Sequence, residues 1–323
     1  MSGASMGNSR GLLVVRLGAM GDLLHALPAV ASLKHSFPDR PLTWVVDAAW
    51  RPLLEGNAFI DRIVTFDRRR PAAWLRTLRE LREQSYFTAV DFQGLIKSAL
   101  VAGLSRAESI VGYADAREHQ ATWFYSKTMV PGAAHVVDRN LELAQAAGAS
   151  NLLRTFPLPA GRAEGQLPDR GFVLASPLAG WAGKQWPLEY YAELATMLAR
   201  ELNLMLVLNG PPSARALLTS VPNALVHLSG LSGLIDATRR ATAVVGVDSG
   251  PMHLAAALGK RGVALFGPTD PARNGPYGGS LRVFRTETAL TSYKRGGLID
   301  ASMRAIRPDM LMEHLQALSV CPA

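Results

Sequence analysis

The strongest constraint on this chain is a rhythm: a short apolar run, a turn, then a longer stretch with helical spacing, repeated several times and then restarted. Leu12-Leu13-Val14-Val15-Arg16-Leu17 reads as a buried first strand. Further strands are expected at Leu42–Val46, Arg62–Phe66, Thr88–Asp91 and Ser109–Gly112, with helices over Asp22–Ser36, Ala72–Gln84, Leu95–Gly103 and His135–Ala147. Pro28 inside the first helix predicts a kink or a short first turn. Strands that alternate with helices in this way form βαβ units around a parallel sheet.

The stretch Ala149–Arg170, with Pro157, Pro159, Gly161 and Pro168, reads as a linker. After it the rhythm begins again. Strands are predicted at Phe172–Ala175, Leu204–Leu208, Leu225–His227, Ala243–Val247 and Val263–Phe266. Helices are predicted at Leu188–Arg200, Pro212–Thr219, Leu231–Arg240 and Pro251–Leu258, and a last amphipathic helix over Met303–Leu318. A length of 323 residues suits two such domains. In doubly wound sheets ligands bind beyond the carboxyl ends of the strands, so the loops after strands are where chemistry is expected.

Composition excludes several function classes. Apolar residues make up 48% and charged residues 19%, which is globular rather than disordered. The single cysteine, Cys321, has no partner for an internal disulfide or a CxxC site, which fits a reducing compartment. No apolar run approaches the ~18–20 residues of a membrane span, and the polar start MSGASMGNSR does not resemble a signal peptide. The formal charge of +8 is spread evenly, with 18 basic and 14 acidic residues up to position 160 and 16 and 12 after it. There is thus no basic domain of the kind that binds nucleic acid. One window is dense: Arg68, Arg69, Arg70, Arg76, Arg79 and Arg82 against Glu80 alone. It is either a solvated helix face or a site for anionic groups.

Four loops after strands carry unusual residues. In RLGAMGDLLH, two glycines allow a tight strand-to-helix turn and Asp22 falls at the helix start, where it either caps the helix or does chemistry. Asp47 after the second strand lies where a ribose-binding acid would sit, but the turn is GxxG and lacks the third glycine of a dinucleotide fingerprint. In VDSGPMHLAAALG an apolar strand runs straight into Asp248, Ser249 and Gly250 at a helix N-terminus, an anion-friendly place, with His253 nearby. LFGPTDPARNGPYG is explained mostly by turn chemistry. In SPLAGWAGKQWP, Lys184 is a lone cation before a helix: solvated, or a phosphate ligand if it faces the Asp248 loop.

MGDLLHALPA, DFQGLIKSAL, KQWP, VDSGPMHLAAAL and FGPTDP, in this order and spanning nearly the whole chain, resemble the bacterial lipopolysaccharide heptosyltransferases, inverting glycosyltransferases that use ADP-heptose. DFQGLIKS followed by Ala116-Arg117-Glu118 looks most like heptosyltransferase I. The resemblance implies an α/β fold of the GT-B class. Two facing Rossmann-like domains are expected, residues 1–160 for the acceptor and 161–300 for the nucleotide sugar, with a C-terminal helix in 301–323 packing back on the first. The implied reaction moves L-glycero-D-manno-heptose from ADP-heptose to the inner Kdo of Kdo2-lipid A, with inversion, on the cytoplasmic face of the inner membrane as a peripheral protein.

By the same resemblance Asp22 is the general base and Lys184 holds the leaving diphosphate. Asp248, Ser249, Gly250, Met252 and His253 contact the donor; Gly21, Arg68, Arg69, Arg70, Gln93, Lys97 and Arg117 serve the acceptor. No Asp-x-Asp occurs in the sequence, so the expected enzyme needs neither metal nor cofactor. One departure stands out: after the Leu204–Leu208 strand the family has a glutamate for the nucleoside ribose, whereas Asn209–Arg215 carries no acid. That leaves open a related enzyme with another nucleotide sugar or acceptor. A nucleotide-binding oxidoreductase or an inactive sugar-nucleotide sensor is the reading of a different class, resting on Asp47 and the paired βαβ domains.

Overall fold

The structure, a computed structural model, describes residues 10–67 and 71–320. The chain divides into two compact units between Pro159 and Ala160.

The first unit runs β1 (Gly11–Val15), α1 (Met20–Ser36), β2 (Leu42–Asp47), β3 (Arg62–Phe66), α2 (Pro71–Arg82), β4 (Tyr86–Asp91), α3 (Ile96–Leu104), β5 (Ser109–Tyr113), β6 (Lys127–Met129) and α4 (Val136–Ala146). Its six strands are all parallel, in the order β3-β2-β1-β4-β5-β6. Every residue of β1 is buried, as a central parallel strand covered on both faces must be. Leu13 and Val15 pack with Val45, Val64, Phe66, Ala89 and Val101 on one face. α1 is buried almost all round and packs along α4. It runs through Pro28 as one helix, with Ser32 Oγ donating to the Pro28 carbonyl, where a kink or short turn is expected.

The second unit runs β7 (Phe172–Ser176), α5 (Leu188–Leu202), β8 (Met205–Gly210), α6 (Arg215–Thr219), β9 (Ala224–Leu228), α7 (Leu231–Arg240), β10 (Ala243–Val247), α8 (Gly250–Ala257), β11 (Gly262–Leu265), α9 (Pro271–Asn274), β12 (Leu281–Phe284), α10 (Ala301–Arg304) and α11 (Asp309–Val320). Its strands are also all parallel, in the order β12-β11-β10-β7-β8-β9. Numbered within its own unit, each sheet runs 3-2-1-4-5-6, the doubly wound order with a switch point where the order reverses. That point lies between β1 and β4 in the first unit, where Val15 pairs with Asp91, and between β7 and β10 in the second, where Ser176 pairs with Gly246.

The linker from Ala147 to Gly171 forms neither helix nor strand, and its second half is strapped to α7. The Glu164 carboxylate accepts from Gly230 N at 2.6 Å and Gly233 N at 3.1 Å, capping that helix, while Arg162 N donates to Ser232 O. The expected single helix Met303–Leu318 is two, α10 and α11, because Pro308 cannot continue the first. Leu311, Met312 and Leu315 of α11 complete the core of the second unit, bedded on β11 and α5. The corner before it is held by Trp186 Nε1, which donates to Ile306 O at 2.8 Å.

Candidate active site

Three of the four loops singled out by residue chemistry follow strands that flank the two switch points; the fourth, LFGPTDPARNGPYG, follows β11. In the first unit the chain leaves β1, turns through Leu17-Gly18-Ala19 with a cis peptide between Gly18 and Ala19, and enters α1. A side chain at position 18 would strike Trp50, its Cβ 2.7 Å from the indole nitrogen, so the turn needs glycine there. Asp22 lies in the first helical turn with its side chain 43% exposed. Its Oδ2 accepts from Ala19 N at 3.2 Å, which is the capping role, and from Arg16 Nη2 at 2.7 Å.

Across the switch point is the loop after β4. Asp91 is fully buried and accepts four hydrogen bonds, from Gln93 N, Gly94 N, Ser98 Oγ and Tyr125 OH. Burial pushes its carboxyl above the usual carboxylate range, against the pull of those four donors. The loop is tied to the β1–α1 turn twice, by Arg16 Nη1 donating to Phe92 O and by Leu17 N donating to Gln93 Oε1 at 2.7 Å. Gln93, expected on the acceptor side, therefore has its carbonyl oxygen committed to the turn. Gly94 adopts a positive φ of 66°, and an added Cβ would lie 3.2 Å from Arg117 N. Arg117 and Lys97 are both exposed around this loop, and Glu118 Oε2 accepts from Ile96 N at the start of α3. Gly21 sits beside Asp22 in α1. Arg68, Arg69 and Arg70 lie outside the described residues, while Arg76, Arg79 and Arg82 are exposed on α2, the bland reading of that cluster, with Arg82 Nε donating to Leu104 O at 3.4 Å. Asp47, the support for a dinucleotide reading, caps the 3-10 turn Ala48–Leu53 by accepting from Ala49 N.

The second unit gathers Lys184, from the 3-10 turn Ala182–Lys184 after β7, and Asp248, directly after β10. Lys184 Nζ is 2.8 Å from Asp248 Oδ2, which also accepts from Thr269 Oγ1 at 2.8 Å; His253 Nε2 lies 3.7 Å from Oδ1. Burial is the largest influence on Asp248 and would raise its pKa, but His253 and the Lys184 ammonium outweigh it and hold the carboxyl at about 2. Ser249 is the N-cap of α8, yet its Oγ is buried without a hydrogen-bond partner and does not cap the helix. Gly250 opens the helix. Met252 differs from its expected neighbours: it is 1% exposed and packs on Gly246, lining a small apolar cavity with Leu174, Val244 and Leu234.

Two participants escaped the residue-level reading. Thr269 belongs to FGPTDP, whose turn chemistry hid it. Arg16 directly follows the wholly apolar β1 and precedes Leu17, and that oddity is the signal that could have marked it. In the segment that lacks the family's acid, Asn209 Nδ2 turns inward to Ser229 Oγ at 2.8 Å and to His227 Nδ1.

A family model described as glycosyltransferase family 9 (heptosyltransferase) matches residues 74–297. Lipopolysaccharide heptosyltransferase 1 of Pseudomonas aeruginosa is 31% identical over 305 residues, covering 83% of this chain and 82% of that protein. Among solved structures, E. coli ADP-heptose lps heptosyltransferase II superposes with a TM-score of 0.77 at 23% identity, over 96% of this chain and 98% of that one. E. coli heptosyltransferase WaaC with ADP gives 0.76 at 24% identity, over 95% and 99%. At those identities the two structures speak to the fold, which is the GT-B class.

Proposed function

The chain belongs to glycosyltransferase family 9, the heptosyltransferases, and on that premise we propose that it moves L-glycero-D-manno-heptose from ADP-heptose to the inner Kdo of Kdo2-lipid A, with inversion at the anomeric carbon. The carrying observation is the pair of switch points, one presenting an exposed carboxylate and the other a lysine on a buried carboxylate. Likeness to heptosyltransferase 1 at 31% identity supports the acceptor named here, as does the DFQGLIKS loop.

In this reading Asp22 takes the proton of the acceptor hydroxyl as that oxygen bonds to the anomeric carbon and the bond from that carbon to the diphosphate oxygen breaks. A half-exposed carboxylate suits that task because an incoming hydroxyl can reach it. Lys184 Nζ meets the charge that develops on the leaving diphosphate, joined by the Ser249 hydroxyl, which has no protein partner, and the amide groups that open α8. Asp248 acts one step back: with His253 and Thr269 beside it, it fixes where the ammonium stands. Because Lys184 already neutralises that carboxylate, the donor side is built for a cationic side chain rather than a divalent metal, and the proposed reaction is metal-independent. Lys97, Arg117 and Arg68–Arg70 are proposed to hold anionic groups of the acceptor. No helix among the described residues is long and apolar enough to cross a membrane; the enzyme is proposed to meet its glycolipid by peripheral contact with the inner membrane surface.

The test incubates purified protein with ADP-heptose and Kdo2-lipid A in EDTA and follows mass. A gain of one heptose is expected, and no gain with this acceptor but a gain with its mono-heptosylated form would move the assignment to heptosyltransferase II. The acid-free segment Asn209–Arg215 favours one alternative, a different nucleotide on the same chemistry, and tighter binding of UDP or GDP than ADP in calorimetry would support it.

A further inference from the structure

We propose that Arg16 is a positioning residue for Asp22, holding its carboxylate in the orientation that proton transfer needs; this rests on the reading of Asp22 as the base. Arg16 follows a strand whose five residues are all buried, and its own side chain is only 13% exposed. The guanidinium forks between two oxygens: Nη1 donates to the Phe92 carbonyl and Nη2 to Asp22 Oδ2 at 2.7 Å. Its Nε is buried without a partner, so the fork is aimed at these two oxygens at the expense of a third bond.

The backbone on either side is fixed as well. Trp44 Nε1 of β2 donates to Arg16 O at 3.1 Å, and Leu17 N donates to Gln93 Oε1. Phe92 follows Asp91, whose four hydrogen bonds make its loop rigid. A continuous path thus runs from Tyr125 and Ser98 through Asp91 and the Phe92 carbonyl to Arg16 and Asp22. Among the described residues the bonds on Asp22 fall on Oδ2, from Arg16 and Ala19 N, which orients Oδ1 as the oxygen for the acceptor hydroxyl. A planar fork can hold two acceptors at fixed angle, whereas a lysine ammonium is a point charge on a flexible stem. Misplacing a reacting group by ~1 Å costs roughly 10²-fold in rate.

The experiment is a double-mutant cycle of Arg16→Ala and Asp22→Asn in heptose transfer, with kcat, the donor KM and thermal stability measured for each, and Arg16→Lys alongside. Arg16→Ala is expected to lower kcat by roughly 10²-fold with the donor KM unchanged. The double variant is expected to be no slower than Asp22→Asn alone, and Arg16→Lys to recover part of the loss. Losses that multiply in the double variant, a full kcat in Arg16→Ala, or a loss confined to the donor KM would each overturn the inference. If Arg16→Ala does not fold, the same cycle with Arg16→Gln, which keeps the stem as far as Cδ but is too short to reach both oxygens, decides it by the same criteria. A parent protein without transfer activity would bring down the proposed function and this inference together; an active parent with multiplying losses brings down the inference alone.

Discussion

Asp22 in the first unit and Asp248 in the second each lie beyond a strand that flanks the switch point of its sheet, Asp22 after the first strand of its unit and Asp248 after the fourth, each with a cation at hydrogen-bond distance. Their surroundings set them apart. The Asp22 side chain is 43% exposed and bonded through one oxygen, while that of Asp248 is 6% exposed and has Lys184, Thr269 and His253 around it. One construction therefore serves two ends. A carboxylate open to a ligand can exchange a proton with it; a carboxylate sealed among donors is a fixed counter-charge that holds its cation in place.

The sharpest way to break this contrast is at Asp22. Asp22→Asn keeps the shape and the capping acceptor but cannot take a proton, so kcat is expected to fall by roughly 10²–10⁴-fold, with ADP affinity by calorimetry unchanged. Survival of turnover would reduce Asp22 to a helix cap. At the other site the first loss is in stability. Lys184→Met leaves a buried carboxylate without its cation, an expected cost of ~3–5 kcal/mol in urea unfolding, and adding Asp248→Asn should recover most of that stability while transfer stays lost. If Lys184→Met unfolds at the same urea concentration as the parent, the pair is not the anchor described here.

Acid separates the two sites without mutation. The Asp248 carboxyl is held at about 2 against an ordinary value of 3.8. A depressed folded pKa stabilises fully above the unfolded value and is lost as pH falls through the folded one, so roughly 2–3 kcal/mol should disappear between about pH 4 and pH 2. Comparing urea midpoints of parent and Asp248→Asn through that window checks it, since the variant should lack this component. The smallest effect is expected on α2: Arg76→Ala and Arg79→Ala, both on the solvent face, should change stability by less than about 0.5 kcal/mol and leave transfer rates unaltered.

The central strands could be read from sequence because a parallel sheet covered on both faces demands near-continuous apolar runs, and β1, β7 and β10 answer that demand. Two of the four edge strands could not. β6 is three residues with Lys127 and Thr128 exposed, and β12 has Arg282 and Val283 facing water, so neither displays an apolar run. The corner at Pro308 was visible as a residue but was outweighed by the helical spacing on both sides. At the sites, spacing placed Asp22, Lys184 and Asp248 after their strands, since a strand followed by a polar turn is a local signal. Which of them is sealed and which is open depends on distant partners: Thr269 reaches Asp248 from 21 residues away and Phe92 meets Arg16 from 76 away. Met252 illustrates the converse, a residue inside a functional motif whose side chain belongs to the core.

The Glu164 strap decides where the molecule can be cut. Although β7 begins at Phe172, the acid that caps α7 sits eight positions upstream, so an excised second half that starts at the strand would leave Gly230 N and Gly233 N without their acceptor and forfeit ~1 kcal/mol of helix capping. Starting at Ala160 keeps the cap, and with it the whole strap that Arg162 and Glu164 make on α7.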